Sequence, residues 1–202
     1  MRISREQITG LVVSGGRGTR MGHVDKGLQP LNDSSLIEAT LHRLQPQVGA
    51  LIINANQNLQ RYQQFGFPVC ADEIVGYAGP LAGLHAGLSH CATPYLVSVP
   101  CDTPGFPDDL VEKLSLALAE TEADLAFAFT GDQHAPELHP VFCLMKRKVL
   151  VSLDDYLRNG GRKVASWMQQ QRHAQVHFDD QLAFMNINTQ DELKTFTSLR
   201  RP

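Results

Sequence analysis

The segment Ser14-Gly15-Gly16-Arg17-Gly18-Thr19-Arg20-Met21-Gly22, with Asp25-Lys26 just beyond it, crowds basic side chains among glycines. Glycine admits positive φ and lets the backbone approach a ligand closely, so successive N–H groups can point at phosphate oxygens. Arg17, Arg20 and Lys26 add cationic donors that can hold a triphosphate and stabilise the charge of its transition state. Two commoner phosphate loops do not fit. A P-loop needs a hydroxyl residue after its lysine, and Lys26 is followed by Gly27. In the dinucleotide fingerprint, Gly22 would have to stand one residue earlier relative to Gly16 and Gly18. A plain flexible turn is the competing reading.

Asp102 is the carboxylate that could work with such a loop. It follows the apolar run Tyr95–Val99 within Val99-Pro100-Cys101-Asp102-Thr103-Pro104. Open α/β sheets place ligand-binding residues at the C-terminal ends of strands. A carboxylate there suits Mg²⁺, which takes a few protein oxygens and completes its octahedron with water and phosphate. A turn or cap aspartate ahead of Pro104 is the alternative. Gly79-Pro80 reads as a helix start, but Gly83 then costs that helix about 1 kcal/mol relative to alanine. Close approach of a ligand or another backbone would account for it. Asn186 and Asn188 flank Ile187, so on a strand both would face one way. Asn188 or Thr189 could equally cap the last helix.

Other reactive residue types form no pattern. The histidines show no H-E-x-x-H spacing and read mostly as surface or capping residues. Cys101 reads as a small buried hydrophobe, Trp167 as core, and Lys146-Arg147-Lys148 as a solvated helix start that could also face an anion.

Strand-like and helix-like runs alternate along the chain, which is the signature of βαβ units and a mainly parallel sheet. Strands are expected at 8–13, 50–53, 68–70, 94–99, 124–129, 140–144, 174–178 and 182–187. Helices are expected after the capping box Ser35-Leu36-Ile37-Glu38, over 59–64, from Pro80, from Pro107, over 146–157 and over 164–170. A second capping box, Thr189-Gln190-Asp191-Glu192, opens a last helix carrying Leu193, Phe196 and Leu199. No repeat or linker is visible, so residues 1–202 are expected to form one α/β domain.

Of 202 residues, 43% are hydrophobic and 19% charged, with a formal net charge of -3. That balance gives no general electrostatic reason to bind nucleic acid or an acidic membrane. No run approaches the roughly 20 apolar residues of a membrane span. The first residues lack the apolar core of a signal peptide, so a cytoplasmic location is expected. Cys70, Cys91, Cys101 and Cys143 include no CxxC pair, and reduced thiols are the default.

The glycine-rich segment resembles the G-G-x-[GS]-x-R-M-G…K signature of nucleotidyltransferases that activate sugars, alditols and cofactors. In that superfamily the loop wraps a nucleoside triphosphate and the lysine neutralises phosphate charge. Further segments narrow the resemblance to the molybdenum cofactor guanylyltransferases. Gly79-Pro80-Leu81-Ala82-Gly83 is similar to their G-P-L-A-G loop, and Pro100-Cys101-Asp102-Thr103-Pro104 to their metal-binding segment. Asn54-Ala55-Asn56, His139-Pro140 and Asn186-Ile187-Asn188-Thr189-Gln190-Asp191-Glu192-Leu193 resemble other family motifs, in the family's order. Ser14 departs from the usual alanine, and the stretch between Asp72 and Tyr77 matches no motif.

The resemblance implies a Rossmann-like fold of the nucleotide-diphospho-sugar transferase type. It implies transfer of GMP from GTP to the phosphate of molybdenum-molybdopterin, with Mg²⁺ held by Asp102. Arg20, Lys26 and Asp102 would be the catalytic groups. Val13, Ser14, Gly15, Gly16, Lys26, Asn54, Asp72 and Asp102 would surround GTP, with Asp72 recognising the base or the ribose and able to accept from guanine N1–H and N2–H₂. Gly79, Gly83, Asn186 and Asn188 would serve the acceptor side. A molybdenum-insertion protein and molybdoenzyme chaperones are the implied partners, and a monomer is expected. The competing functions are a cytidylyltransferase or sugar-phosphate nucleotidyltransferase on the same fold, or a non-catalytic nucleotide-binding protein.

Overall fold

The first strand, β1 (Ile8–Val13), is buried on both faces, as a central parallel strand must be. A computed structural model describes it together with the rest of residues 2–15, 25–31, 33–74, 79–132, 134–187 and 192. After the glycine-rich segment come a short hairpin, β2 (Pro30–Leu31) and β3 (Ser34–Ser35), and then helix α1 (Leu36–Leu44). The hairpin was not expected. The capping box was: Ser35 Oγ accepts from Glu38 N, and Glu38 returns a carboxylate to Ser35 N at 2.8 Å.

The chain continues through β4 (Ala50–Asn54), α2 (Leu59–Gln63), β5 (Val69–Cys70), α3 (Pro80–His90) and β6 (Tyr95–Pro100). It then forms α4 (Leu110–Glu120), β7 (Leu125–Thr130), β8 (Glu137–Lys146), α5 (Leu150–Arg158), α6 (Val164–Met168) and β9 (His173–His177). The large sheet has the order β5-β4-β1-β6-β8-β7-β9. Strands β5, β4, β1 and β6 are parallel neighbours, as are β7 and β9, and β8 runs antiparallel between β6 and β7. This is the expected mainly parallel α/β sheet flanked by helices.

Period-2 alternation feeds two cores. Ile8 and Val12 of β1 join Ile37 and Leu41 of α1, Tyr62 of α2 and Leu110 and Leu114 of α4. Leu11 faces the opposite way, onto Leu81, Leu84 and Leu88 of α3, Leu153 and Leu157 of α5, and Trp167 of α6.

Several boundaries differ from expectation for physical reasons. The run 182–187 is not a strand. Asp180 accepts from Ala183 N and caps a 3₁₀ turn over Gln181–Phe184, whose apolar residues Ala183 and Phe184 fill the core. Helix α4 starts at Leu110 rather than Pro107, because Val111 N is capped by Gln47 Oε1 from outside the helix. Strand β8 reaches back to Glu137 past Pro140: the pairing with β7 jumps from Cys143 to His139 at a bulge, where a proline's missing N–H does no harm. Lys146 closes β8, and a 3₁₀ turn at Arg147–Val149 precedes α5. Lys146 and Lys148 are not simply solvated, since both reach Asp124, at 3.4 and 2.7 Å. The expected final helix lies outside the described residues apart from Glu192. None of the helices among the described residues is long and apolar enough to cross a membrane.

Candidate active site

Sheet register assembles the site. Val13 ends β1 opposite Asn54 of β4 and Pro100 of β6, and Asn54 lies opposite Cys70 of β5. The C-terminal ends of four neighbouring parallel strands therefore align, and Ser14, Asp72 and Asp102 follow within two residues of that row. This is the edge where open α/β sheets bind ligands.

At one end of the row Lys26 Nζ meets Asp102 Oδ2 at 3.3 Å, with the side chains 31% and 17% exposed. A pair this sheltered is screened less than a surface pair, yet it remains open to an incoming ligand. The backbone around Asp102 is held firmly. Cys101 N donates to Val13 O at 3.1 Å, and Ile187 N donates to Asp102 O at 2.7 Å. Buried Thr103 donates its Oγ1 proton to Asn186 Oδ1 at 2.6 Å, which brings the exposed Asn186 next to Asp102 although it sits on no strand.

At the other end Asp72 is gripped by two asparagines. Asn54 Nδ2 donates to Oδ1 at 2.9 Å, Asn56 Nδ2 donates to Oδ2 at 2.8 Å, and Asp72 N donates to Asn56 Oδ1 at 2.8 Å. Asn56 Nδ2 also donates to Gly15 O at 3.0 Å. Each carboxylate oxygen keeps a second lone pair, so the fixed carboxylate can still accept from a base. Asn54 is fully buried, and its Oδ1 has no hydrogen-bond partner among the described residues. A Cβ on Gly83 would stand 2.5 Å from that oxygen and 3.2 Å from Val13 Cγ1. The space at Gly83 is thus taken by the side chains of Asn54 and Val13 and not by another backbone, and it adjoins residues expected around the nucleotide although Gly83 was expected on the acceptor side. Gly79 precedes Pro80 at the start of α3 with φ +58°, a conformation that favours glycine.

Between the two ends sits Tyr62, fully buried, with its hydroxyl bonded to both Ser14 Oγ and Asp25 Oδ1. Burial, and then the Asp25 contact, push its phenol above the ordinary tyrosine range, so it stays protonated as a donor. The four cysteines are free and buried. Burial and then the Asp102 charge push the Cys101 thiol up to about 12, which rules out a thiolate nucleophile near neutral pH. His139 serves the fold. It bonds Thr130 Oγ1 at 2.9 Å and stacks on Phe184 with centroids 4.5 Å apart. His85 is a buried exception to histidines expected mostly at the surface, with Nε2 3.4 Å from Asp154 Oδ1.

The donor set fits a hard divalent cation. Among the described residues no three His, Cys, Asp or Glu side chains gather closely enough to hold a metal by themselves. One sheltered carboxylate, with Lys26 beside it, suits Mg²⁺, which relies on phosphate and water for most of its shell.

The same arrangement points to a class. A family model described as the MobA-like NTP transferase domain matches residues 10–176. The chain belongs to that family. This MobA-like transferase is 53% identical over 194 residues to the molybdenum cofactor guanylyltransferase of Cupriavidus necator, covering 96% of this chain and 98% of that one. It is 46% identical to the protein of the same name from Ralstonia nicotianae, covering 98% and 100%. Among solved structures, molybdopterin-guanine dinucleotide biosynthesis protein A from Archaeoglobus fulgidus superposes with a TM-score of 0.75 at 23% identity, covering 95% and 97%. The last likeness concerns the fold.

Of the residues expected at the site, the MobA-like fold brings together Val13, Ser14, Gly15, Lys26, Asn54, Asp72, Gly83, Asp102 and Asn186. Gly79 starts the helix that carries Gly83. Gly16, Arg20 and Asn188 lie outside the described residues. Sequence reasoning missed Tyr62, Asn58 and Thr103, and gave Asn56 and Asp25 no role. Asn56 stood in a quoted motif and was within reach. Tyr62 looks like any apolar position of a short helix, and nothing in its sequence neighbourhood marks the hydroxyl.

Proposed function

We propose that the protein transfers GMP from GTP to the terminal phosphate of molybdenum-bearing molybdopterin, releasing pyrophosphate. The observation that carries this reading is the Lys26–Asp102 pair at 3.3 Å, set on the same strand-end row as the Asn54–Asp72–Asn56 cluster. One end of the row offers charge for phosphates and the other a fixed acceptor for a base. Identity of about half to guanylyltransferases over nearly the full chain supports guanine as that base and molybdopterin as the acceptor.

An oxygen of the acceptor phosphate attacks the α-phosphorus, and the bond to the bridging oxygen of the β-phosphate breaks. A phosphomonoester is largely ionised at pH 7, so no general base is needed. The work is to bring two polyanions together and stabilise the charge of the transition state. Asp102 would hold Mg²⁺, which when bound supplies Lewis-acid charge to the phosphate oxygens. Lys26 neutralises phosphate charge, with Arg20 in the same role. Ser14 N is committed to Asn54 O at 2.8 Å, so the N–H groups that follow it, at Gly15 and Gly16, are the ones that would cradle the triphosphate. Asp72, locked by two asparagines, accepts from guanine N1–H and N2–H₂, a donor pair that cytosine and adenine do not present. Asn186 Oδ1 is committed to Thr103, which leaves its Nδ2 to donate to the acceptor.

The test is pyrophosphate release with Mg²⁺ and molybdopterin, with GTP, CTP, ATP and UTP supplied in parallel. GTP alone should give product, and Asp102→Ala should abolish it. Product from CTP alone would overturn the base assignment. Full turnover by Asp102→Ala at saturating Mg²⁺ would remove the metal from that carboxylate.

A further inference from the structure

The two ends of the glycine-rich segment meet at one buried oxygen. Ser14 Oγ and Asp25 Oδ1 both hydrogen-bond the hydroxyl of Tyr62, whose ring lies in the core beneath α1 and α4. The phenol owns a single proton, and an ionised carboxylate can only accept. That proton therefore goes to Asp25, and Ser14 must donate its own to the phenol oxygen. The result is a directed chain, Ser14 to Tyr62 to Asp25.

Three neighbours hold the chain in place. Asn58 Nδ2 donates to the second oxygen of Asp25 at 3.0 Å, from a left-handed backbone at φ 50°. Ser14 N donates to Asn54 O at 2.8 Å, and Ile37 N donates to Gly27 O at 2.9 Å. A Cβ on Gly27 would lie 2.6 Å from both Ser14 Oγ and the Tyr62 hydroxyl, so any other residue there would push the junction apart. Phenylalanine would fill the same core space without a buried polar atom to satisfy. The hydroxyl therefore has a use beyond packing.

We propose that Tyr62 is a positioning residue for triphosphate binding and nucleotidyl transfer. Its hydroxyl fixes Ser14 and Asp25 to the core, and so sets where their chain neighbours Gly15 and Lys26 present themselves. Lys26 is the residue that reaches Asp102, and a misplacement of about 1 Å in such a group can cost roughly 100-fold in rate. The transfer half of this inference rests on the guanylyltransferase reading, and the triphosphate half does not.

Tyr62→Phe keeps the ring and its edge contact with Phe65 and removes only the hydroxyl. The kcat for GTP-dependent pyrophosphate release should fall about 10- to 100-fold, with the KM for molybdopterin unchanged. Calorimetric affinity for Mg²⁺–tripolyphosphate should weaken about 10-fold, a scale set by the loss of one hydrogen bond of about 1.5 kcal/mol. Asp25→Ala should do the same, and combining the two should add little further loss. Wild-type values in Tyr62→Phe for both kcat and tripolyphosphate would overturn the proposal. So would losses that simply add in the double variant, because the hydroxyl and the Asp25 carboxylate would then act independently and not as one junction. Weakened tripolyphosphate binding in a protein whose wild type does not turn over GTP would uphold the positioning role and reject the guanylyltransferase reading. Should Tyr62→Phe not fold, tripolyphosphate binding by Asp25→Ala decides alone: weakening upholds the junction, and wild-type affinity overturns it.

Discussion

Lys26 and Asp102 stand 76 positions apart in the chain and 3.3 Å apart in space. Each is the other's counter-charge, and in the proposed reaction a triphosphate would take over the lysine and a metal the carboxylate. Lys26→Ala should therefore lower kcat/KM by about 100-fold or more, roughly 3 kcal/mol of transition-state stabilisation, as for loss of one well-placed charged donor. Steady-state kinetics with a circular-dichroism check on folding measures it. Unchanged kcat/KM would place the lysine away from the phosphates. Gly83 makes the same point for a residue without chemistry. Its helix tolerates a poor helix former because Asn54 Oδ1 occupies the space a side chain would need.

Elements are joined to one another by charges remote from the site. Asp124, just ahead of β7, binds Lys146 at the end of β8, Lys148 beyond it, and Arg172 just ahead of β9. Arg172 above all, with Lys148 and Lys146, holds the Asp124 carboxyl well below the usual carboxylate range. A depressed folded pKa stabilises the fold at pH values above the unfolded pKa of about 4, and that contribution drains away as pH falls below it. Asp124→Asn should therefore cost about 2 kcal/mol at pH 7, the scale of hydrogen bonds to charged groups, and lower Tm by roughly 4–8 °C. At pH 3 the gap between variant and wild type should narrow. A gap of equal size at both pH values, by thermal denaturation, would show that Asp124 acts without its charge.

At the scale of the whole fold, the large sheet has a core on each face, and the aligned ends of β5, β4, β1 and β6 form the edge where the proposed reading puts the nucleotide. A ligand that binds there only in the folded state must raise stability by mass action. At about 100 times its Kd, Mg²⁺–GTP should add roughly 2.7 kcal/mol, or about 5–11 °C in Tm for a chain of this size. Mg²⁺–CTP at the same concentration should give much less. Equal shifts from both would leave the Asp72 cluster without a role in base selection.

Most of the fold was legible in the chain because local rules decide it. Period-2 and helical stripes, the Ser35 capping box and Pro80 mark elements whose boundaries depend on a few adjacent residues. The nucleotidyltransferase class was legible too, since its glycine-rich motif is contiguous in the chain. Where tertiary partners override local preference, the reading failed. The run 182–187 carries strand-like residues yet turns to bury Phe184, and Gln47 moves the start of α4 from Pro107 to Leu110. The same limit hid Tyr62, Asn58 and Thr103, whose partners Ser14, Asp25 and Asn186 are distant in sequence. The sequence alone determined which groups could handle a nucleotide, because residue type and spacing carry that information. Only the tertiary structure decided which of them meet, because hydrogen bonds and charges act over a few ångströms and take no account of separation along the chain.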